Sequence, residues 1–258
     1  MQDLRIERHV TGPFQENTYL IGCSATRAFA VIDPGAGVEH AVAAWLAQGW
    51  RLQRILLTHT HIDHIWGLGP VAALAPEAPI ALHPEGLSVY DSLQATAQSF
   101  GLGGIVPQAP DLATVPVEWL AEGDVVAIGQ TEWLVLETPG HCPGHVAFYF
   151  GDAVLQFEPP LDPTTRATHA TETGVRPTWP ADGPSRRHLK REGAQQDDAA
   201  GLCLVGDLVI GGSIGRTDLP GGNTATFYRS LRERIGPLPP ATQLLGGHGT
   251  PRSLAVEL

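Results

Sequence analysis

The stretch Thr58-His59-Thr60-His61-Ile62-Asp63-His64 sets four ligand-type side chains within six residues, directly after the apolar run Arg54–Thr58. That run reads as a buried strand. A strand that delivers the chain to a sheet edge lets the following loop turn several side chains onto one point. His59 and His61 are two residues apart, so they face one side while the backbone stays extended. Asp63 and His64 come as the loop turns toward a helix and so point to a neighbouring position. Neutral imidazoles with carboxylates suit zinc and similar borderline metals.

Three further segments repeat the arrangement. Glu132–Glu137 leads into Thr138-Pro139-Gly140-His141, Leu202–Val205 into Gly206-Asp207, and Gln243–Leu245 into Gly246-Gly247-His248. In each, an apolar strand meets glycine, which lets the backbone bend close to an ion, and then one ligand-type residue. Five histidines and two aspartates result, a set suited to two metals sharing one carboxylate. His9, His40, His83, His169 and His188 have no such setting. His145 reads either as a donor to a ligand or as a structural residue. Asp33, closing Val31-Ile32-Asp33-Pro34-Gly35, reads as a turn residue that orients the ligand loop.

Around these motifs, apolar runs punctuated by 30 Gly and 22 Pro alternate with helical spacings. Strands are predicted at Thr18–Gly22, Ala28–Asp33, Arg54–Thr58, Ile80–Leu82, Val125–Ile128, Glu132–Glu137, Val146–Phe150, Ala153–Phe157, Leu202–Asp207 and Gln243–Leu245. Helices are predicted at Val38–Gln48, Ile65–Leu74, Ser88–Phe100 and Thr224–Arg234. The pattern implies two sheets with helices on their outer faces. Phe157–Ala200 breaks it: 44 residues hold 11 apolar ones, six of them Ala, with six prolines and seven acidic residues. Such a composition does not offset its own ordering entropy by burial, so a disordered insertion in a single domain spanning residues 1–258 is expected; the other reading is a small docked subdomain using Trp179 and Leu189.

THTHIDH followed in order by TPGH, GD and GHG resembles the metallo-β-lactamase superfamily. NTYLIG, HCPGHVAFYF and GGSIGRTDLPGG are similar to its glyoxalase II-like (hydroxyacylglutathione hydrolase) subgroup, of the short bacterial type. The resemblance spans most of Thr11–Pro251 apart from the insertion. It implies an αββα sandwich of two mixed β-sheets flanked by helices, with metals at one sheet edge. It also implies that His59, His61 and His141 form one metal site, that Asp63, His64 and His248 form a second, and that Asp207 bridges them. The cofactors implied are two divalent ions: zinc, with iron or manganese as alternatives. The activity implied is hydrolysis of a small-molecule thioester, such as lactoylglutathione, by a metal-bridging hydroxide. Arg216, in Gly215-Arg216-Thr217-Asp218, matches a basic position that contacts glutathione in full-length glyoxalase II; the other reading is that it pairs with Asp218. Ten residues follow His248, so the helical C-terminal extension that supplies further glutathione contacts is not expected.

A net charge of −11 gives no general attraction to nucleic acid or anionic lipid, which disfavours a nuclease of this fold. No apolar run approaches a membrane span. MQDLRIERHV lacks a signal-peptide core, and three scattered cysteines are no disulfide framework, so a cytoplasmic enzyme is expected rather than a secreted β-lactamase. The rival reading is a mononuclear iron persulfide dioxygenase, which would use His59, His141 and Asp207 and leave Asp63, His64 and His248 idle. An intact second ligand set favours hydrolysis, since iron oxygen chemistry needs open positions rather than a second ion. Oligomeric state is not legible.

Overall fold

In residues 19–21, Ala28–Ile32 and Ile80–Leu82, successive strand residues are apolar and buried on both faces, the pattern of a sheet covered on both sides. The protein is described from a computed structural model, which covers residues 4–151 and 201–257. Strands β1 (Leu4–Thr11), β2 (Glu16–Cys23), β3 (Ala28–Ile32), β4 (Arg51–Leu56), β5 (Ile80–Leu82) and β6 (Val117–Trp119) form the first sheet in that order. Strands β7 (Val125–Ile128), β8 (Thr131–Glu137), β9 (Val146–Phe150), β10 (Leu202–Gly206), β11 (Gln243–Gly246) and β12 (Arg252–Ser253) form the second. Both are mixed: β1 to β3 are antiparallel and β3 to β6 parallel, whereas only β10 and β11 pair in parallel in the other.

The two-residue period of a strand sorts side chains between layers. Tyr19, Ile21, Ala30 and Ile32 point to the other sheet and meet Trp133, Val135, Val146, Phe148 and Leu204. Leu20, Phe29 and Val31 point outward beneath α1 (Glu39–Ala47), α2 (Ile62–Ile65), α3 (Leu68–Leu74), α4 (Leu87–Asp91) and α5 (Leu93–Ser99). Leu136, Ala147, Tyr149, Cys203 and Val205 pack under α6 (Thr224–Ser230) and α7 (Leu254–Glu257). The αββα sandwich implied by the motifs is the fold.

Some elements differ from the sequence expectation. β1 was not predicted because Arg5, Glu7 and Arg8 hide its alternation. The charges lie at a sheet edge, where Arg5 covers the Trp45 ring at 4.4 Å and Glu7 Oε2 accepts from Trp45 Nε1 at 2.9 Å. β6, β12 and α7, also unpredicted, have four residues or fewer. The expected helix Ile65–Leu74 is split between α2 and α3, where Gly67 N–H donates to Pro34 O at 2.8 Å. Ser88–Phe100 is likewise divided at Ser92. Thr224–Arg234 is α-helical only to Ser230; Leu231–Ile235 widens to a π-turn, with Gly236 N–H bonded to Leu231 O. The predicted strand Ala153–Phe157 and the expected insertion Phe157–Ala200 lie outside the described residues. Phe150 pairs with Leu202, so the chain leaves and re-enters the second sheet at one end of β9 and β10.

Candidate metal centre

Loops at the ends of β4, β8, β10 and β11 carry the seven predicted ligands to one edge of the sandwich. His59, His64 and His141 are almost wholly buried. His61 Nδ1 and His141 Nε2 lie 2.9 Å apart. Donor atoms of His59, His61 and His141 fall within 4.8 Å of one another, as do those of Asp63, His64 and His248. Asp207 stands between the two sets: Oδ2 is 3.6 Å from His141 Nε2 and 3.6 Å from His248 Nε2, and Oδ1 is 3.3 Å from His64 Nε2. His248 Nε2 is 3.3 Å from Asp63 Oδ2.

The far sides of four of the five rings, those of His59, His64, His141 and His248, are held by the protein. Asp33, at the end of β3, accepts from Thr58 N–H (2.7 Å) and from the Thr58 hydroxyl (2.6 Å). With its proton so used, Thr58 Oγ1 accepts from His59 Nδ1 at 3.0 Å, and Asp33 Oδ2 receives His64 Nδ1 at 3.1 Å. His141 Nδ1 donates to Arg216 O at 2.7 Å and His248 Nδ1 to Gln15 O at 3.3 Å. Each bond leaves Nε2 as the free lone pair directed inward, the arrangement that fixes metal-binding tautomers. The fit is visible in what stays unsatisfied: His59 Nε2, His64 Nε2 and Asp207 Oδ1 are buried without a hydrogen-bond partner. These three lie together at the sheet edge, with His64 Nε2 3.3 Å from Asp207 Oδ1, where a cation would satisfy them.

Electrostatics divide the cluster. Burial, then neighbouring imidazoles, push His59 far down and His61 to about 4, so both stay neutral. Burial also lowers His141. At His64 burial acts in the same sense, but the Asp63 and Asp207 carboxylates outweigh it and raise the ring. At His248 burial is likewise overcome, through the hydrogen bond to Asp63. Burial opposes ionisation of Asp207, yet His64 holds its carboxyl well below the usual range. Divalent ions need neutral imidazoles and ionised carboxylates: His59, His61 and His141 are already biased to that state, whereas at His64 and His248 a bound ion would displace a proton that the carboxylates hold.

Arg216 contributes otherwise than as a free cation. Its Nε and Nη2 fork onto the Asp218 carboxylate at 2.7 Å each, on the exposed loop, while its carbonyl orients His141. Several supporting residues were not singled out from sequence. Asn17 Nδ2 donates to Gly246 O (3.0 Å) and Gly249 O (2.8 Å), and Tyr19 OH to Gly246 O (2.9 Å), which anchors the His248 loop. Their signal was present as polar groups in the otherwise apolar β2. The Gln15 and Arg216 carbonyls had none, since any residue supplies a carbonyl. Cys142 is a buried thiol whose Sγ lies within 4.8 Å of the His59, His61 and His141 donor atoms; burial keeps it protonated.

The sandwich is that of the metallo-β-lactamase superfamily, to which the chain belongs: residues 11–157 match it. The chain is 26% identical over 248 residues to the hydroxyacylglutathione hydrolase GloC of Haemophilus influenzae, covering 95% of this chain and 90% of that protein. It is 28% identical to the probable metallo-hydrolase YqgX of Bacillus subtilis, over 98% and 94% of the two chains. The crystal structure of TTHA1623 in a di-iron-bound form superposes with a TM-score of 0.66 at 31% identity, covering 97% and 96%.

Proposed function

We propose that the protein is a dinuclear metal-dependent hydrolase that cleaves small-molecule thioesters of the hydroxyacylglutathione kind. The observation carrying this reading is Asp207, whose two carboxylate oxygens face both histidine sets, with Oδ1 left unsatisfied in the interior. His59, His61 and His141 would hold one ion, Asp63, His64 and His248 the other, and Asp207 both. Two divalent ions, when bound, would supply a Lewis acid and bring the pKa of water down to about 7.

The chain's own residues supply the frame. Asp33, Thr58, Arg216 O and Gln15 O hold the four Nδ1-bonded rings in one tautomer. The titratable groups in the cluster are all ligand-type, and none is set apart as a strong proton donor. A thiolate leaving group needs none, which supports a thioester over an amide. Likeness to GloC over nearly the whole chain supports a glutathione conjugate, with Arg216 as the group that contacts its carboxylate. Zinc suits the donor set; iron is supported by the di-iron neighbour, and manganese is the third candidate. Three free cysteines, all buried, accord with a reducing cytoplasm. Among the described residues, no helix is long and apolar enough to cross a membrane. The mononuclear dioxygenase reading leaves Asp63, His64 and His248 without a purpose, although they converge as closely as the first set.

Metal analysis of the purified protein, paired with lactoylglutathione hydrolysis and oxygen uptake, tests the proposal. Close to two ions per chain with thioester turnover is the expected result. One iron per chain, with oxygen consumption driven by glutathione persulfide, overturns it.

A further inference from the structure

His145 differs from its neighbours in the cluster because both of its ring nitrogens are spent on the protein. Nδ1 lies 2.8 Å from Thr138 Oγ1, and Nε2 accepts the backbone N–H of Asp207 at 3.2 Å. His59 Nε2 and His64 Nε2, by contrast, are buried without a partner. A peptide N–H can only donate, so Nε2 carries the lone pair and Nδ1 the proton, and Nδ1–H donates a hydrogen bond to the Thr138 hydroxyl oxygen. The ring is buried and lies 5.0 Å from the His59 ring, tilted by 32°. Its backbone carbonyl accepts Thr138 N–H at 2.9 Å, so imidazole and main chain grip the same threonine. Gly206 crosses directly over the ring with φ +48°, and a Cβ there would sit 2.7 Å from His145 Nε2 and 2.5 Å from Thr58 Oγ1. The turn that presents Asp207 is therefore built against this imidazole.

We propose that His145 is a positioning residue for Asp207: it accepts the Asp207 amide and, through Thr138, ties the end of β10 to the loop that carries His141. The aspartate's backbone is thereby set so that its carboxylate reaches both histidine sets, Oδ2 facing His141 and His248 and Oδ1 facing His64. The inference rests on the reading of Asp207 as the shared ligand. A carboxylate that swung by even one rotamer would serve one set and abandon the other.

Two variants separate the role from bulk. In His145→Gln the side-chain Oε1 reaches the place of Nε2 and keeps an acceptor for the Asp207 amide. His145→Asn reaches only as far as Nδ1 and loses it. In metal-free protein, amide exchange at Asp207 should be slow in the parent and in the glutamine variant. It should be at least about tenfold faster with asparagine, while exchange in β3 and β8 is unchanged. Affinity for the second cobalt(II) ion, read by titration, should fall about 10–100-fold in His145→Asn and stay within a few-fold of parent in His145→Gln. Equal loss in both variants, or Asp207 exchange that ignores the asparagine, overturns the proposal. If the asparagine variant does not fold, the glutamine variant decides alone: retained protection supports the role and lost protection overturns it. A parent with the stated exchange pattern but fewer than two bound ions overturns the bridging reading and leaves the positioning role standing.

Discussion

Gly247 packs its α-carbon against the Asp207 carboxylate. A Cβ at that position would run into Asp207 Oδ1 and would sit 2.6 Å from His64 Cε1. The glycine thus belongs to the wall of the cluster, between the shared aspartate and a histidine of the second set. Gly247→Ala should displace the carboxylate, because neither the β11 end nor the buried His64 has room to retreat. The expected result is loss of the second ion with a drop of about 10–100-fold in metal affinity, on a chain that still melts cooperatively. Metal content after dialysis, set beside thermal unfolding, checks this; an alanine variant with full occupancy would contradict the packing argument.

Asp33 has backbone φ +51° and accepts hydrogen bonds from Thr58 and His64. Asparagine tolerates that left-handed conformation as well as aspartate does. Asp33→Asn therefore isolates the side chain: an amide NH2 replaces one acceptor and faces donors. His64 should lose its fixed tautomer, and affinity for the second ion should fall by about 10–100-fold, read by cobalt(II) titration. Unchanged affinity would mean that Thr58 alone suffices to order the loop.

Glu16 is buried with Oε1 unpartnered, while Oε2 accepts from Thr11 (2.6 Å) and Thr18 (3.0 Å). Burial, reinforced by Asp33, holds its carboxyl well above the usual range against the pull of His64. A raised native pKa means the folded state binds more protons than the unfolded one once pH exceeds about 4.3. The contribution of Glu16 to stability is then present below that pH and lost as pH rises toward the native value. Urea unfolding of the metal-free parent and of Glu16→Gln, run from pH 5 to 8, should show the parent falling steadily relative to the glutamine variant. Parallel curves would show that Glu16 is ionised in the fold.

Arg216 has two readings that kinetics can part. If its guanidinium leaves Asp218 to pair with a substrate carboxylate, Arg216→Ala should raise KM for an anionic glutathione thioester more than for a neutral one, by about 1–3 kcal/mol. An equal effect on both substrates would mean that the fork onto Asp218 braces the loop whose carbonyl holds His141.

The segment between Gly151 and Gly201 departs from the Phe150–Leu202 pair. The five residues of β9 separate that pair from His145, roughly 16 Å of extended chain. Replacing Pro159–Asp198 by a short Gly/Ser turn should leave metal content and kcat/KM within a few-fold of parent, since loop length changes closure entropy little. Early proteolytic cleavage at Arg186–Arg191 with activity retained would agree. A clipped protein without hydrolysis would make the segment part of the working site.

Much of this was legible along the chain because strands advertise themselves by what they bury. Ala28–Ile32 and Val146–Phe150 are apolar at successive positions because both faces of their sheets are covered, and the ligand residues follow where β4, β8, β10 and β11 stop. His59 and His61, spaced by two on extended backbone, could be read as facing one side before any partner was known. β1 escaped because its charges serve Trp45, a residue 38 positions away from Glu7. Which atoms hold the rings was decided only by tertiary structure. The carbonyls of Arg216 and Gln15 have no signature of their own, and they orient His141 and His248 across separations of 75 and 233 residues. His145 is the sharpest case: as sequence it is one more histidine four residues after His141. Its neutral, doubly bonded ring acquires meaning only where β10 brings the Asp207 amide onto Nε2. Sequence sets the donor inventory and the period of each strand, whereas a lone pair's direction depends on the partner at the far side of the ring, which only chain crossing supplies.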